Sequence, residues 1–157
     1  MTINDLFAAS EGIVSLDPAD KDALLEMLAT IAAARLKWQP EDVLRPLLAR
    51  ERLGSTALGR GVALPHTRLE GLEAPLAILA RLVHPIEFGA RDGEPVDLVF
   101  LVLWPEAASE GFLPALSDIC RALRDNQLPR QLRQASSSEE ALAMLRAADQ
   151  QGPEAEP

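Results

Sequence analysis

Residues 96–103 read Val96-Asp97-Leu98-Val99-Phe100-Leu101-Val102-Leu103, an apolar run interrupted by a single carboxylate. A strand of this composition is usually buried on both faces, with helices on either side of its sheet. The run is also far shorter than the roughly 20 apolar residues that a membrane-spanning helix needs. It therefore predicts a strand of an α/β protein that is buried on both faces, and no membrane insertion.

The segments before this run predict two helices followed by short strands. Asp17 is the predicted cap of the first helix, because Pro18 behind it suits a first helical position. A second helix is predicted to begin near Pro40 and to stop at Gly54. Frequent glycine and proline from there to residue 71 predict short strands and tight loops, and residues 75–83 predict a longer strand.

The segments after the run predict helices again. Leucine and isoleucine at helical spacing predict a helix over residues 111–125, and a short helix is predicted near residues 129–134. Ser137 and Glu140 have the spacing of a capping box, which predicts the start of a last helix.

This order of elements predicts an α/β three-layer sandwich, in which a mixed β-sheet carries helices on both faces. The chain has 157 residues, of which 48% are hydrophobic, which fits one domain with a sizeable core. We predict a single domain over residues 1–148 and a flexible C-terminal tail over residues 149–157, where the sequence becomes polar and contains proline.

Charge and cysteine content narrow the possible partners and location. Fifteen basic and twenty-four acidic side chains give a formal charge of −9. This balance argues against nucleic-acid binding, which requires a basic face, and favours a cationic protein partner or simply solubility. One cysteine excludes an internal disulfide, and the first ten residues lack the basic start of a secretory signal. A cytoplasmic location is expected.

His66 lies in a loop whose backbone is constrained. Pro65 fixes the entry to His66, and Gly59 and Gly61 flank Arg60, which would let backbone N–H groups converge on an anion. A neutral imidazole can act as a nucleophile, and phosphoryl transfer needs mainly such a nucleophile with donors for the phosphoryl oxygens. On the residues alone, a lone histidine in such a loop is more often a hydrogen-bonded loop residue than a nucleophile.

Other kinds of site find little support. Two histidines and one cysteine without paired spacing do not form a metal site, and no glycine-lysine phosphate loop or nucleophile elbow is present, so no metal or cofactor is expected. His84, before Pro85, is expected to be exposed and structural. Glu110 could face the site, but a carboxylate would repel a phosphoryl group.

The chain resembles the fructose/mannitol-type IIA family of the bacterial phosphotransferase system, and most closely its nitrogen-regulatory branch. The similarity spans about residues 10 to 148, and its most specific part is the stretch from residue 54 to residue 66. The resemblance rests on Arg50-Glu51-Arg52-Leu53-Gly54-Ser55-Thr56, on Gly59-Arg60-Gly61-Val62-Ala63-Leu64-Pro65-His66, and on Pro85-Ile86-Glu87-Phe88 with the segment Asp92-Gly93-Glu94-Pro95-Val96-Asp97-Leu98-Val99-Phe100.

The resemblance implies a phosphohistidine carrier, a phosphotransferase in that sense. His66 matches the histidine that accepts a phosphoryl group from an HPr-like phosphocarrier protein. Arg50 matches the arginine expected to hold the phosphoryl oxygens, for which a guanidinium is well shaped. Ser55 and Thr56 are expected to fix the loop, with phosphate contact as the lesser alternative.

The resemblance also bears on partners. Arg60 and Arg68 are expected to shape a docking surface. A carrier of this size acts by passing the group to a separate IIB component or by binding regulatory target proteins. The resemblance to the nitrogen-regulatory branch favours nitrogen or metabolic regulation over sugar transport.

One position departs from the family pattern. Members usually carry a second active-site histidine in a His-Leu segment, and the matching pair here is Phe112-Leu113. A phenyl ring donates no hydrogen bond to a phosphoryl oxygen. The alternative hypothesis is therefore a phosphorylation-impaired IIA-like binding module that recognises an anionic ligand or a protein.

Overall fold

The computed structural model of the chain describes residues 6–7, 13–125 and 127–150. Five α-helices are described, which are α1 (Lys21–Leu36), α2 (Pro40–Arg52), α3 (Phe112–Arg124), α4 (Gln127–Gln134) and α5 (Ser138–Gln150). Six strands are described, which are β1 (Ile13–Leu16), β2 (Ala57–Gly59), β3 (Val62–Ala63), β4 (His66–Leu69), β5 (Leu76–Ile86) and β6 (Val96–Pro105). A 3₁₀ segment, Glu106–Gly111, joins β6 to α3. No helix among the described residues is long and apolar enough to cross a membrane.

The strand predicted over residues 96–103 is β6, and it lies at the centre of the sheet. The strand order is β1-β5-β6-β3-β2, and β4 also pairs with β6. β5 runs antiparallel to β6, whereas β3 and β4 run parallel to it, so the sheet is mixed. Strands β3 and β4 follow each other along the same edge of β6, separated only by residues 64 and 65.

Both faces of β6 are buried, which confirms the three-layer architecture. Leu98, Phe100 and Val102 belong to a core formed with helices α3, α4 and α5. Val99 and Leu101 belong to a second core formed with α1 and α2. An alternating strand would leave one face in water, so the continuous apolar run reflects two helical layers.

The predicted cap of the first helix is wrong. Helix α1 begins at Lys21, and Asp20 caps it, because its carboxylate accepts a 2.8 Å hydrogen bond from the N–H of Ala23. Both aspartates suit a cap, but β1 continues to Leu16 and the chain needs the next residues for the turn. Asp17 instead lies 2.9 Å from Nδ1 of His84.

The C-terminal capping box is formed only in part. Ser137 Oγ accepts a hydrogen bond from the N–H of Glu140, as predicted. The Glu140 carboxylate, however, accepts from the N–H and hydroxyl of Ser136 instead of from the Ser137 N–H. The predicted domain limit at residue 148 and the tail at 149–157 stay predictions, since residues 151–157 lie outside the described part of the chain.

Candidate functional site

His66 is the first residue of β4 and is half-buried. Its Nδ1 lies 2.7 Å from the carbonyl oxygen of Leu64. Since a carbonyl oxygen only accepts hydrogen bonds, Nδ1 must carry the proton and donate it. In the neutral ring this leaves the lone pair on Nε2, which is the nucleophilic atom.

The surroundings of His66 keep the ring neutral. Burial lowers the pKa of His66 below its ordinary value, and the positive charge of Arg50 lowers it further. The hydrogen bond to Leu64 and the negative charge of Glu51 act in the opposite direction but do not cancel the effect of burial. A neutral imidazole at pH 7 is the form that a nucleophile needs.

We expect the imidazole of His66 to titrate below pH 6.5, the ordinary value. The unfolded chain then takes up this proton at a higher pH than the folded chain. The contribution of neutral His66 to the free energy of unfolding is therefore complete above pH 6.5 and is lost as the pH falls towards the folded pKa. An NMR titration gives the midpoint. Urea unfolding at pH 7.5 and at pH 5 gives the free energy of unfolding at each pH, and the decrease between the two should be smaller for His66→Gln than for the native chain. A midpoint at or above pH 6.5 would contradict the assignment.

Phe112 occupies the place opposite His66. The two ring centroids are 5.7 Å apart, with an interplanar angle of 62°. Trp104 backs the phenyl ring at 5.9 Å, and the indole is fixed by a 2.8 Å hydrogen bond from its Nε1 to the carbonyl of Ala108. Phe112 is 8% exposed and belongs to the core under α3. It thus packs as a core residue and also forms an apolar wall of the site.

Glu51 is a buried charge that no pattern in the sequence singles out. Its side chain is 4% exposed and forms a 2.9 Å ion pair with Lys21. Its two carboxylate oxygens also accept hydrogen bonds from the N–H of Thr56 at 2.8 Å and from the Thr56 hydroxyl at 2.7 Å. A buried carboxylate with these partners fixes the loop that follows α2.

This cluster reaches His66 through two peptide groups. Glu51 holds Thr56, whose carbonyl accepts a 2.9 Å hydrogen bond from the N–H of Leu64. The carbonyl of Leu64 in turn accepts from Nδ1 of His66. Glu51 is therefore a positioning residue for the imidazole. The only signal in the sequence was its place within the Arg50–Thr56 motif, since a glutamate on a helix ordinarily faces water.

Substitution Glu51→Gln should lower the free energy of unfolding by about 3 kcal/mol, because it breaks a buried ion pair and leaves Lys21 without its carboxylate. Urea unfolding monitored by circular dichroism gives the value. Glu41→Gln is a matched control, since Glu41 forms an exposed pair with Arg45 at 3.6 Å and should change stability by less than about 0.5 kcal/mol. Equal effects at the two positions would refute the role assigned to Glu51.

Arg50 and Ser55 complete the rim on the α2 side. Arg50 Nη1 donates a 3.1 Å hydrogen bond to the carbonyl of Gly54, and its charge acts on His66. Ser55 Oγ donates to the carbonyl of Phe88 at 2.9 Å. The hydroxyls of Ser55 and Thr56 thus hold the loop in place, and both predicted site residues, His66 and Arg50, lie in one region.

The predicted anion nest at Arg60 is wrong. The N–H of Arg60 donates a 2.8 Å hydrogen bond to the Asp92 carboxylate. The side chain of Asp92 therefore occupies the position that an external anion was predicted to take. The N–H groups of Arg60 and Glu94 hold the pKa of Asp92 below its usual value. The positive φ of Arg60, 56°, produces the predicted turn, but the sequence did not show which acid would bind there.

The remaining predicted residues lie around the site or away from it. Arg68 shares a face of β4 with His66, and its Nη1 donates a 3.2 Å hydrogen bond to the Ser109 hydroxyl. Glu110 is exposed in the 3₁₀ segment before Phe112. His84 is exposed, as expected, and its Nδ1 lies 2.9 Å from the Asp17 carboxylate.

Comparison with known proteins gives consistent matches. Residues 7–148 match the family model described as phosphoenolpyruvate-dependent sugar phosphotransferase system, EIIA 2. The chain is 41% identical over 145 residues to a nitrogen regulatory protein of Bradyrhizobium diazoefficiens, covering 92% of this chain and 95% of that protein. It is 36% identical to a nitrogen regulatory protein of Pseudomonas aeruginosa over 138 residues, which cover 87% of this chain and 90% of that one.

Solved structures show the same fold. The nitrogen regulatory protein IIA-Ntr of Neisseria meningitidis superimposes with a TM-score of 0.85 at 34% identity, over 91% of this chain and 98% of that one. Enzyme IIA mannitol of Escherichia coli, in its complex with phosphorylated enzyme IIB mannitol, gives a TM-score of 0.70 at 20% identity, over 88% of this chain and 96% of that one. The second likeness concerns the fold alone.

Proposed function

The chain belongs to the EIIA 2 family of the phosphoenolpyruvate-dependent sugar phosphotransferase system, and we propose on this premise that it is a phosphohistidine carrier loaded at His66. The observation that carries the proposal is the hydrogen bond from Nδ1 of His66 to the Leu64 carbonyl, which leaves Nε2 free to react. The donor is an HPr-like phosphocarrier protein, and the carrier works in the cytoplasm.

Transfer follows from the geometry of the ring. The Nε2 lone pair attacks phosphorus in line, forming the new N–P bond while the donor's N–P bond breaks and its electron pair returns to the donor imidazole. Nδ1 keeps its proton, and the Leu64 carbonyl stabilises the positive charge that the phosphorylated ring acquires. Arg50 binds the phosphoryl oxygens, and its guanidinium suits them in shape and charge.

The use of the phosphorylated state is regulatory. A phosphoryl group adds about two negative charges to the half-buried imidazole of His66, and a partner protein recognises this local change. The relatives at 41% and 36% identity are nitrogen regulatory proteins, which supports nitrogen or metabolic regulation over sugar transport. A IIB component is a further candidate acceptor, and its support is the fold shared with the IIA mannitol of the solved IIA–IIB complex.

The test is phosphorylation by the reconstituted system. The chain is incubated with phosphoenolpyruvate, enzyme I and the HPr-like protein, and its intact mass is measured. We expect an added mass of one phosphoryl group that is lost in acid and stable in base, and fragmentation of the labelled peptide should locate it on His66. An unlabelled chain in a reaction that labels a known IIA protein would overturn the proposal.

A second candidate function rests on Phe112. Its phenyl ring stands 5.7 Å from the His66 ring and offers no donor to a phosphoryl oxygen. If the native chain stays unlabelled while Phe112→His is labelled, the protein is a phosphorylation-impaired binding module for a regulatory partner or an anion.

A further inference from the structure

A cavity of about 200 Å³ opens between the β2–β3 hairpin and helices α3 and α4. It is separate from the His66 site. Val62 pairs with Leu98, whereas His66 pairs with Val102, so the two places lie four strand positions apart, or about 13 Å along β6. The residues that line the cavity are Leu58, Gly59, Arg60, Val62, Cys120, Leu123, Arg124, Pro129 and Arg133.

The lining combines apolar walls with cationic side chains. Leucine, valine and proline side chains form the walls, and Leu58 is 44% exposed at the rim. Three arginines line the same space and no acidic residue does, although the whole chain carries a net charge of −9. Such a surface suits a ligand that is apolar at one end and anionic at the other.

Two of the arginines are held in place by the fold. Arg133 donates from Nε to the Asp97 carboxylate at 2.9 Å and from Nη2 to the carbonyl of Arg60 at 2.8 Å, and Nη2 also forms a 2.9 Å ion pair with Asp97. These bonds orient its guanidinium and leave Nη1 for a ligand. Arg60 Nη1 donates to the Arg124 carbonyl at 3.0 Å, which ties the hairpin to the end of α3. Donors that are fixed in advance lose little entropy when they bind.

Arg124 supplies the charge that the fold does not neutralise. Arg133 faces Asp97, and the charge of Arg60 acts on Asp92. Arg124 is exposed at the end of α3, and among the described residues its side chain makes no hydrogen bond or ion pair. The cavity therefore holds one uncompensated positive charge.

We propose that this cavity binds a small organic carboxylate that carries an apolar ring or short chain. A cavity of about 150 Å³ holds benzene, so the volume here accommodates a ring with one carboxylate. The guanidinium of Arg124 pairs with the carboxylate, Nη1 of Arg133 adds a donor, and the apolar walls cover the ring. The site does not depend on phosphorylation of His66.

Cys120 provides a direct readout, because it lines the cavity and is the only cysteine of the chain. Its alkylation by neutral iodoacetamide is followed by intact mass, with benzoate as the anionic probe and benzamide as its neutral counterpart. We expect benzoate to slow the reaction at about 10-fold lower concentration than benzamide, since a charge-assisted hydrogen bond accounts for a factor of this size. Benzylammonium and inorganic phosphate should not slow it.

Arginine variants identify the group that recognises the carboxylate. Arg124→Gln should abolish the preference for benzoate over benzamide. Arg121→Gln is the matched control, because Arg121 is exposed on the same helix, pairs with Asp118 at 3.0 Å and does not line the cavity. His66→Gln should also keep the preference. Equal protection by benzoate and benzamide, protection by phosphate alone, or an unchanged preference in Arg124→Gln would each overturn the proposal.

Discussion

Substitution His66→Gln should abolish phosphorylation of the chain by the phosphoenolpyruvate-dependent system. Glutamine keeps an amide that can bond to the Leu64 carbonyl, but it has no nucleophilic nitrogen to replace Nε2. The acid-labile mass increase should fall below detection, a loss of at least about a thousandfold, since no other side chain of the site has a comparable nucleophile.

His84→Gln is the control for this experiment. It removes the other histidine of the chain, which is exposed and pairs with Asp17. This variant should be labelled as fast as the native chain. Label that survives in His66→Gln and disappears in His84→Gln would place the phosphoryl group on His84 and refute the proposed function.

Substitution Phe112→His should speed phosphoryl transfer by about 10- to 100-fold. The new imidazole would stand where the phenyl ring now faces His66, and it could donate a hydrogen bond to a phosphoryl oxygen. A hydrogen bond to a charged group contributes about 1.5–3 kcal/mol, which corresponds to this range of rates. Rapid-quench sampling at limiting phosphorylated HPr-like protein gives the rate.

Leu113→His provides the comparison, because Leu113 is the next residue of α3 and is 70% exposed. An imidazole there should leave the rate unchanged. Phe112 packs on Trp104 in the core, so the melting temperature of each variant must show that it is folded. A folded Phe112→His protein with the native rate would show that the missing donor does not limit transfer.

Most of the architecture could be predicted from apolar spacing. The run over residues 96–103 predicted a strand buried on both faces, and β6 lies between two helical cores. Helix α2 begins at Pro40 as predicted, since proline at a first helical position is a local signal. The choice between Asp17 and Asp20 as a cap was not local, because it depends on where β1 ends.

The site was predictable only in part, because it too depends on contacts between residues that are far apart in the sequence. The motif resemblance identified His66, Arg50 and Phe112, but the partners of buried or turn groups come from distant segments. Glu51 binds Lys21, 30 positions earlier in the chain, and the N–H of Arg60 binds Asp92, 32 positions later. A charge on a helix and a glycine-flanked turn are each compatible with several partners, and only the folded chain selects one.

The pairing of β1 with β5 sets an order of events during synthesis. β1 ends at residue 16, and its parallel register with β5 extends to Leu82, so 66 residues must be made after β1 before this register is complete. At about 5–20 residues per second this takes the ribosome roughly 3–13 s. Helices α1 and α2 lie in that interval and contact each other locally. The nascent chain can therefore pack its helical hairpin before β5 exists, and the pairing of β1 with β5 comes only after β5 has been made.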